Sequence, residues 1–307
     1  MRPMKLVLAL LACCAVLTGC GGKSSTVPTP PATTSDASLV SAAVLADPTL
    51  LRDDLYESTN ATALGLGAPI AAGPRAAILP ITFFRMYTLA DRTLGVTFAD
   101  SDATGRPRRA DVQVNRDLTG LLHIWVVPPT GPNDTTNVVH KVVHDAWTRT
   151  LRLARVVDST APDSATHWVL QGASAITVRS NAAQVAIRSV SLRGSPLAPF
   201  TFTIDDPTLI GSAAARPVLP AGQYTTVRID TGVPGQVAFL YSLDRRIRMY
   251  ELGLGLYEAA MYIDPNTASL ANLHFAVNVM SRGTLFDDAL PYDSDTWILP
   301  YAIGLPR

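Results

Sequence analysis

The rhythm of hydrophobic and polar positions changes several times along the chain. Apolar residues run almost unbroken from Leu6 to Leu17, behind the cations Arg2 and Lys5. That run is well short of the ~20 residues of a membrane-spanning helix, so it reads as the core of an export signal. Gly21 to Ser35 has no core-forming pattern, and its Pro, Ser and Thr favour an extended, solvated tether. From Asp36 to Thr59 the spacing turns helical. Leu39, Ala42, Ala43, Leu45 and Ala46 give an apolar face, and Asp36 or Ser38 serves as the cap. Asp47-Pro48 interrupts that face, and a second short helix runs through Leu50, Leu51 and Leu55. Gly65 to Pro80, rich in Gly, Ala and Pro, reads as loop.

At Ile81 the period shifts to two. Strands are predicted over 81–89, 93–99, 110–115, 118–127, 138–143, 148–157, 167–171, 175–179 and 185–192, all rich in Val, Ile, Thr, Phe and Trp. Turn chemistry separates them at Asp100–Gly105, Pro128–Asp134 and Asp158–Asp163. One helical segment followed by strands predicts an α+β unit, a helix packed on a curved antiparallel sheet, over 37–195. Its element order resembles the cone-shaped nuclear-transport-factor and cystatin-like folds.

Gly194-Ser-Pro-Leu-Ala-Pro199 marks a second boundary. Further strands follow at 200–204, 224–230, 237–241, 245–250, 256–263, 273–280 and 296–303. In the sixth, Leu273, Phe275, Val277 and Val279 share one face while Asn272, His274 and Asn278 share the other. Short strands at this density resemble an immunoglobulin-like or fibronectin type III-like sandwich over 196–307. The segment has no cysteine pair, no Trp in its third strand and no tyrosine corner. The expected fold class is therefore mainly β, α+β overall, ending in a β-sandwich.

The end of the leader carries the most specific motif. Leu17-Thr18-Gly19-Cys20 resembles the lipobox of bacterial lipoprotein precursors: an aliphatic residue, two small residues, then the thiol. The resemblance implies a signal peptide at 1–19, cleavage before Cys20 and a diacylglyceryl group on Cys20, often with a further acyl chain. With roughly 0.8 kcal/mol per buried CH₂, more than one chain makes a stable anchor. Gly21 rather than Asp after the cysteine implies the outer membrane, as in Gram-negative lipoproteins. Residues 20–36 then form the lipidated tether.

Composition narrows the chemistry. The three cysteines are Cys13, Cys14 and Cys20, so a mature chain beginning at Cys20 has no disulfide and no thiolate nucleophile. Lys+Arg and Asp+Glu balance at 25 each, and loss of Arg2 and Lys5 leaves a slight negative charge. No basic bias points to nucleic acid, and no glycine-rich phosphate loop points to nucleotides.

His140 and His144 have the spacing of a helical zinc pair, but their valine-rich flanks predict a strand. There they stand roughly 13 Å apart and cannot share an ion. No Gly-x-Ser-x-Gly occurs, the nearest echo being Gly172-Ala-Ser174-Ala. Asp287, Asp288, Asp293 and Asp295, with Asp205-Asp206 earlier, are weak Ca²⁺ candidates; turn and cap chemistry around Pro291 is the plainer reading. Arginines cluster at 106/108/109, 149/152/155 and 245/246/248. They read as solvated strand faces or blunted edges, with anionic glycan or lipid as the sharper alternative. Asn60-Ala-Thr and Asn133-Asp-Thr fit a glycosylation pattern that has no part in a bacterial lipoprotein.

The expected function is thus a non-enzymatic binding or structural module of the bacterial envelope. It needs no cofactor beyond the lipid on Cys20, and it meets an envelope protein or glycan. The alternative is an envelope enzyme acting on glycan through a carboxylate pair. Two buried carboxyl groups in one cleft favour the enzyme; an exposed aromatic patch or smooth strand edge favours binding.

Overall fold

The computed structural model describes residues 35–47, 78–126, 137–157, 166–182, 184–197, 199–212, 216–242, 245–267 and 273–304. The expected lipobox with Cys20, the expected tether up to Thr34, the expected second short helix, and the turns expected at 128–134 and 158–163 lie outside them, whereas Ser35 and Asp36 belong to the start of the first helix. Ser35 to Arg307 form one compact unit.

The chain enters through helix α1 (Asp36–Ala46). Its cap is Ser35, whose Oγ accepts from the Ser38 amide at 3.3 Å. Val40 and Val44, one turn apart, are the helix's fully buried residues and face strands β2 and β5. Leu45, expected inward, is 59% exposed. The helix stops at Ala46 with Asp47 as C-cap, where Pro48 disfavours helical backbone. Among the described residues no helix is long and apolar enough to cross a membrane.

Six strands follow: β1 (Thr82–Leu89), β2 (Thr93–Ser101), β3 (Pro107–Trp125), β4 (Val138–Val157), β5 (Thr166–Ala173) and β6 (Ile176–Ser180). The pairs of segments predicted at 110–115 and 118–127, and at 138–143 and 148–157, are each one long strand. Arg116-Asp117 reads as a break because it is polar. In the structure it stays in ladder with Trp147 and Ala146. What ends there is the neighbour: β2 pairs residues 107–115 of β3 and β1 pairs 118–125. Arg116 holds the fork, donating from Nε to the Ala90 carbonyl at 2.6 Å.

The remaining strands are β7 (Ser189–Arg193), β8 (Thr201–Ile204), β9 (Gly211–Ser212), β10 (Val218–Pro220), β11 (Tyr224–Asp230), β12 (Val237–Ser242), β13 (Arg245–Arg248), β14 (Tyr250–Gly253), β15 (Leu256–Tyr262), β16 (His274–Met280), β17 (Ser294–Pro300) and β18 (Ala302–Gly304). Helix α2 (Arg282–Phe286) links β16 to β17.

The large sheet has the order β1-β3-β4-β6-β17-β16-β12-β13 and is antiparallel along this path. It curls so far that its ends meet: Arg246 of β13 donates from Nη1 to the Phe83 carbonyl of β1 at 2.8 Å. The Arg246 guanidinium also lies over the Phe83 ring, 4.0 Å from its centroid. A second sheet, β14-β15-β11-β7-β8, packs on the outside of the curl. Strands from before and after Gly194 pair in both sheets, β6 with β17 and β7 with β8 and β11, so the boundary read at 195/196 falls within shared sheets.

Strands β12, β16 and β17 are a wall between two cores. Phe275, Val277, Val279, Ala238, Leu240, Trp297 and Leu299 face the second sheet. Ala276, Met280, Phe239, Tyr241 and Ile298 face the inside of the curl, with Phe83, Leu122 and Ile124. The fold is mainly β: a short N-terminal helix on a curled antiparallel sheet, with a sandwich built against its outer wall.

Candidate functional site

The inside of the curl is not uniformly apolar. Alternation brings Arg85 of β1, Asp145 of β4 and Asn278 of β16 inward, where each is at most 5% exposed. Arg85 donates from Nε to the Tyr292 hydroxyl at 2.9 Å, and from Nη2 to Asn278 Oδ1 at 3.2 Å and Ser294 Oγ at 3.1 Å. Asn278 Nδ2 donates to Ser294 Oγ at 2.6 Å and Thr296 Oγ1 at 2.7 Å. Asp145 Oδ2 accepts from the Tyr292 and Tyr87 hydroxyls, both at 2.9 Å. Burial pushes the Tyr292 phenol far above its ordinary range, so this hydroxyl stays protonated and can donate. The network joins the sheet to itself across its interior and leaves Asp145 held by two phenols.

The aspartates read as Ca²⁺ candidates are distributed through this architecture. Asp295 lies in β17, not in a loop, and is fully buried. Its Oδ2 accepts from Arg179 Nη2 at 3.1 Å and the Ile187 amide at 2.8 Å, while burial pushes its carboxyl above the usual range. Asp293 Oδ1 accepts from Ser180 Oγ at 3.0 Å and the Gln184 amide at 3.2 Å. These two carboxylates pin 184–187, which is why the strand expected from Val185 begins only at Ser189.

Asp287 caps α2, and its Oδ1 accepts the Ala289 amide at 2.9 Å. Asp288 is exposed beside it. The carbonyls of Gly283, Asp287 and Leu290 do converge on a cation, but that cation is the Lys141 ammonium, at 2.8, 2.5 and 2.6 Å. Among the described residues no three His, Cys, Asp or Glu side chains gather in the manner of a metal site.

Other expected groups are similarly occupied. Ser174 is buried, accepts the Thr150 amide at 2.9 Å and donates to the Ala175 carbonyl at 2.6 Å. The arginine clusters disperse: Arg109 pairs with Asp100, Arg152 with Asp111 directly across the ladder, and Arg155 with Asp102. Arg149 points inward and burial lowers it to about 10. His140 and His144 lie on β4 as a strand requires, but His140 faces His123 across the ladder, the rings 4.6 Å apart and edge to face. Burial, then the charge of His140, lowers His123.

That histidine pair belongs to the outward face of β1, β3 and β4. Phe84 stacks on His123 and on Trp125, with 4.8 Å between centroids in each case. The next row is aliphatic: Met86, Leu121 and Val142 stand side by side, 56%, 39% and 63% exposed. Three neighbouring apolar side chains left in water make a patch rather than scattered exposure. The signal was in the sequence as doubled apolar residues, Phe83-Phe84, Leu121-Leu122 and Val142-Val143, of which only one each can face the core.

Comparison with family models, curated proteins and solved structures returned no match.

Proposed function

We propose that the chain is a lipid-tethered protein of the bacterial envelope whose folded part is a binding module. The exposed row Met86–Leu121–Val142, flanked by Phe84 and His123, carries the reading. An aliphatic row on a sheet supported by a packed core suits the side chains of a protein partner. On this face a glycan would call for an open aromatic ring, and Trp125 is only 9% exposed. The Leu17-Thr18-Gly19-Cys20 sequence supports the tether, and Gly21 supports the outer membrane. The rival reading, glycan cleavage by two carboxylates, gains nothing from Asp145, Asp293 and Asp295. Each is held by hydrogen bonds inside the fold, and of the carboxylates that do line the cleft beside β8, Asp205 is exposed and Asp206 Oδ1 is taken by the Thr208 amide and hydroxyl.

A photo-reactive residue at Val142 should give a discrete crosslinked protein in intact cells, and Met86→Asp should abolish the adduct without unfolding the chain. Absence of any adduct from Val142 and Leu121 alike would sink the binding role. The tether is tested separately: Cys20→Ser should end palmitate labelling and release the protein from the membrane fraction.

A further inference from the structure

Strand β8 is the last of the five-stranded sheet; β7 pairs one edge, and no described strand pairs the other. Leu192 faces Phe202, Val190 faces Ile204, and the Gly194 amide donates to the Phe200 carbonyl at 3.0 Å. The alternation of an antiparallel ladder therefore turns the backbone groups of Phe202 and Ile204 toward β7, and those of Thr201 and Thr203 toward the open edge. Within its four residues, Thr-Phe-Thr-Ile carries no proline, lysine or bulge to blunt the edge, so its protection is its shortness alone.

The ground beside this edge is concave. A cleft of about 390 Å³ opens there, with Thr203 on its lip and Phe202, Ile204, Leu209, Ile210 and Leu299 among its apolar walls. Asp205, at the end of β8, lines it with Asp206 and Arg216, so carboxylates outnumber cations two to one on its charged rim. A strand laid ~4.8 Å beyond β8 sends alternate side chains to the face shared by Phe202 and Ile204, which is the cleft side.

We infer that this edge and cleft together take an extended peptide that adds as a further strand beside β8. Two apolar side chains at alternate positions enter the cleft, and a basic residue lies near the Asp205 carboxylate. Backbone hydrogen bonds to Thr201 and Thr203 supply affinity, and the cleft supplies selectivity for the alternate positions. The site is separate from the β1–β3–β4 face and does not depend on it.

The test uses the full chain in detergent and the fluorescein-labelled peptide Lys-Val-Thr-Val-Thr-Ser. Its anisotropy should saturate with a Kd below about 1 mM. Amide exchange at Thr201 and Thr203 should slow on binding by about tenfold or more. Thr203→Pro removes an outward N–H without touching the β7 ladder, and Leu209→Asp, at a residue 66% exposed, charges the wall without entering the core. Both should abolish binding, whereas Met86→Asp should leave it intact. Failure of the peptide to saturate, or equal binding by either cleft variant, overturns the inference. So does a dimer of the chain that Thr203→Pro dissolves while the peptide leaves those amides unprotected; the edge would then serve a second copy.

Discussion

Arg85 of β1 donates to the hydroxyl of Tyr292, 207 residues away, across the interior of the curled sheet. The same hydroxyl donates to Asp145 of β4. A cation and an anion are thereby coupled through a neutral group that can satisfy both. Buried charges tolerate little misplacement, because the low-dielectric surroundings that strengthen a satisfied network also raise the cost of an unsatisfied one. The network favours the one curl that brings β1, β4 and β16 within reach of each other.

Tyr292→Phe should therefore cost about 2–4 kcal/mol, more than loss of an ordinary hydrogen bond, because two buried charged groups lose the same partner. Urea unfolding measures it. Tyr87→Phe removes the other phenol on Asp145 Oδ2. The double variant should depart from additivity, as expected for groups sharing one acceptor. Strictly additive effects would mean that the two hydroxyls act independently.

Arg246 closes the curl by a different means, pairing its guanidinium with the Phe83 carbonyl and ring. Arg246→Leu keeps the aliphatic stem but removes both interactions. It should lower stability by about 1–3 kcal/mol. Hydrogen exchange should accelerate selectively at β1, the strand whose outer edge it covers. Uniform acceleration over all strands would show that the ends of the sheet are not held at this point.

Much of this architecture was legible in the chain. The switch to period two at Ile81 and the alternation of Phe275, Val277 and Val279 place strands where they are found. Two physical features blurred the rest. A polar dipeptide such as Arg116-Asp117 ends a strand when water surrounds it, but here it marks where one neighbour gives way to another. A strand such as β16 reads as half-exposed because one face carries His274 and Asn278, yet both faces are buried. The polar face meets Arg85, Ser294 and Thr296, partners distant in sequence that local pattern cannot supply. The exposed row of Met86, Leu121 and Val142 was hidden for the complementary reason, since doubled apolar residues look like strong core.

Gly120 shows how closely β1 and β3 approach. A Cβ there would lie 1.8 Å from the Met86 carbonyl oxygen, which is backbone and cannot swing aside. Gly120→Ala should break the β1–β3 ladder and cost more than about 3 kcal/mol, or prevent folding. Gly95 in β2 is the control: its nearest neighbour to an added Cβ is 3.9 Å away, so Gly95→Ala should be neutral or slightly stabilising. Thermal denaturation of the two variants side by side decides it, and similar melting temperatures would refute the close approach.

Lys141 supplies a pH-dependent test. The residue is 5% exposed, and its ammonium donates to the carbonyls of Gly283, Asp287 and Leu290. Burial lowers it to about 8, against the opposing pull of Asp288 and Asp287. Between about 8 and the ordinary value of 10.5 the unfolded chain holds a proton that the folded chain has shed. Folding stability should then rise with pH across that window on this group's account, and be flat in it below and above. Lys141→Met should erase this rise. It should also cost about 2 kcal/mol or more at neutral pH, because three carbonyls lose their donor together. Heteronuclear NMR of the lysine side chain gives the midpoint directly. A midpoint near 10.5, with no difference in pH dependence between Lys141→Met and the parent, would show that the ammonium is hydrated rather than enclosed by the α2 turn.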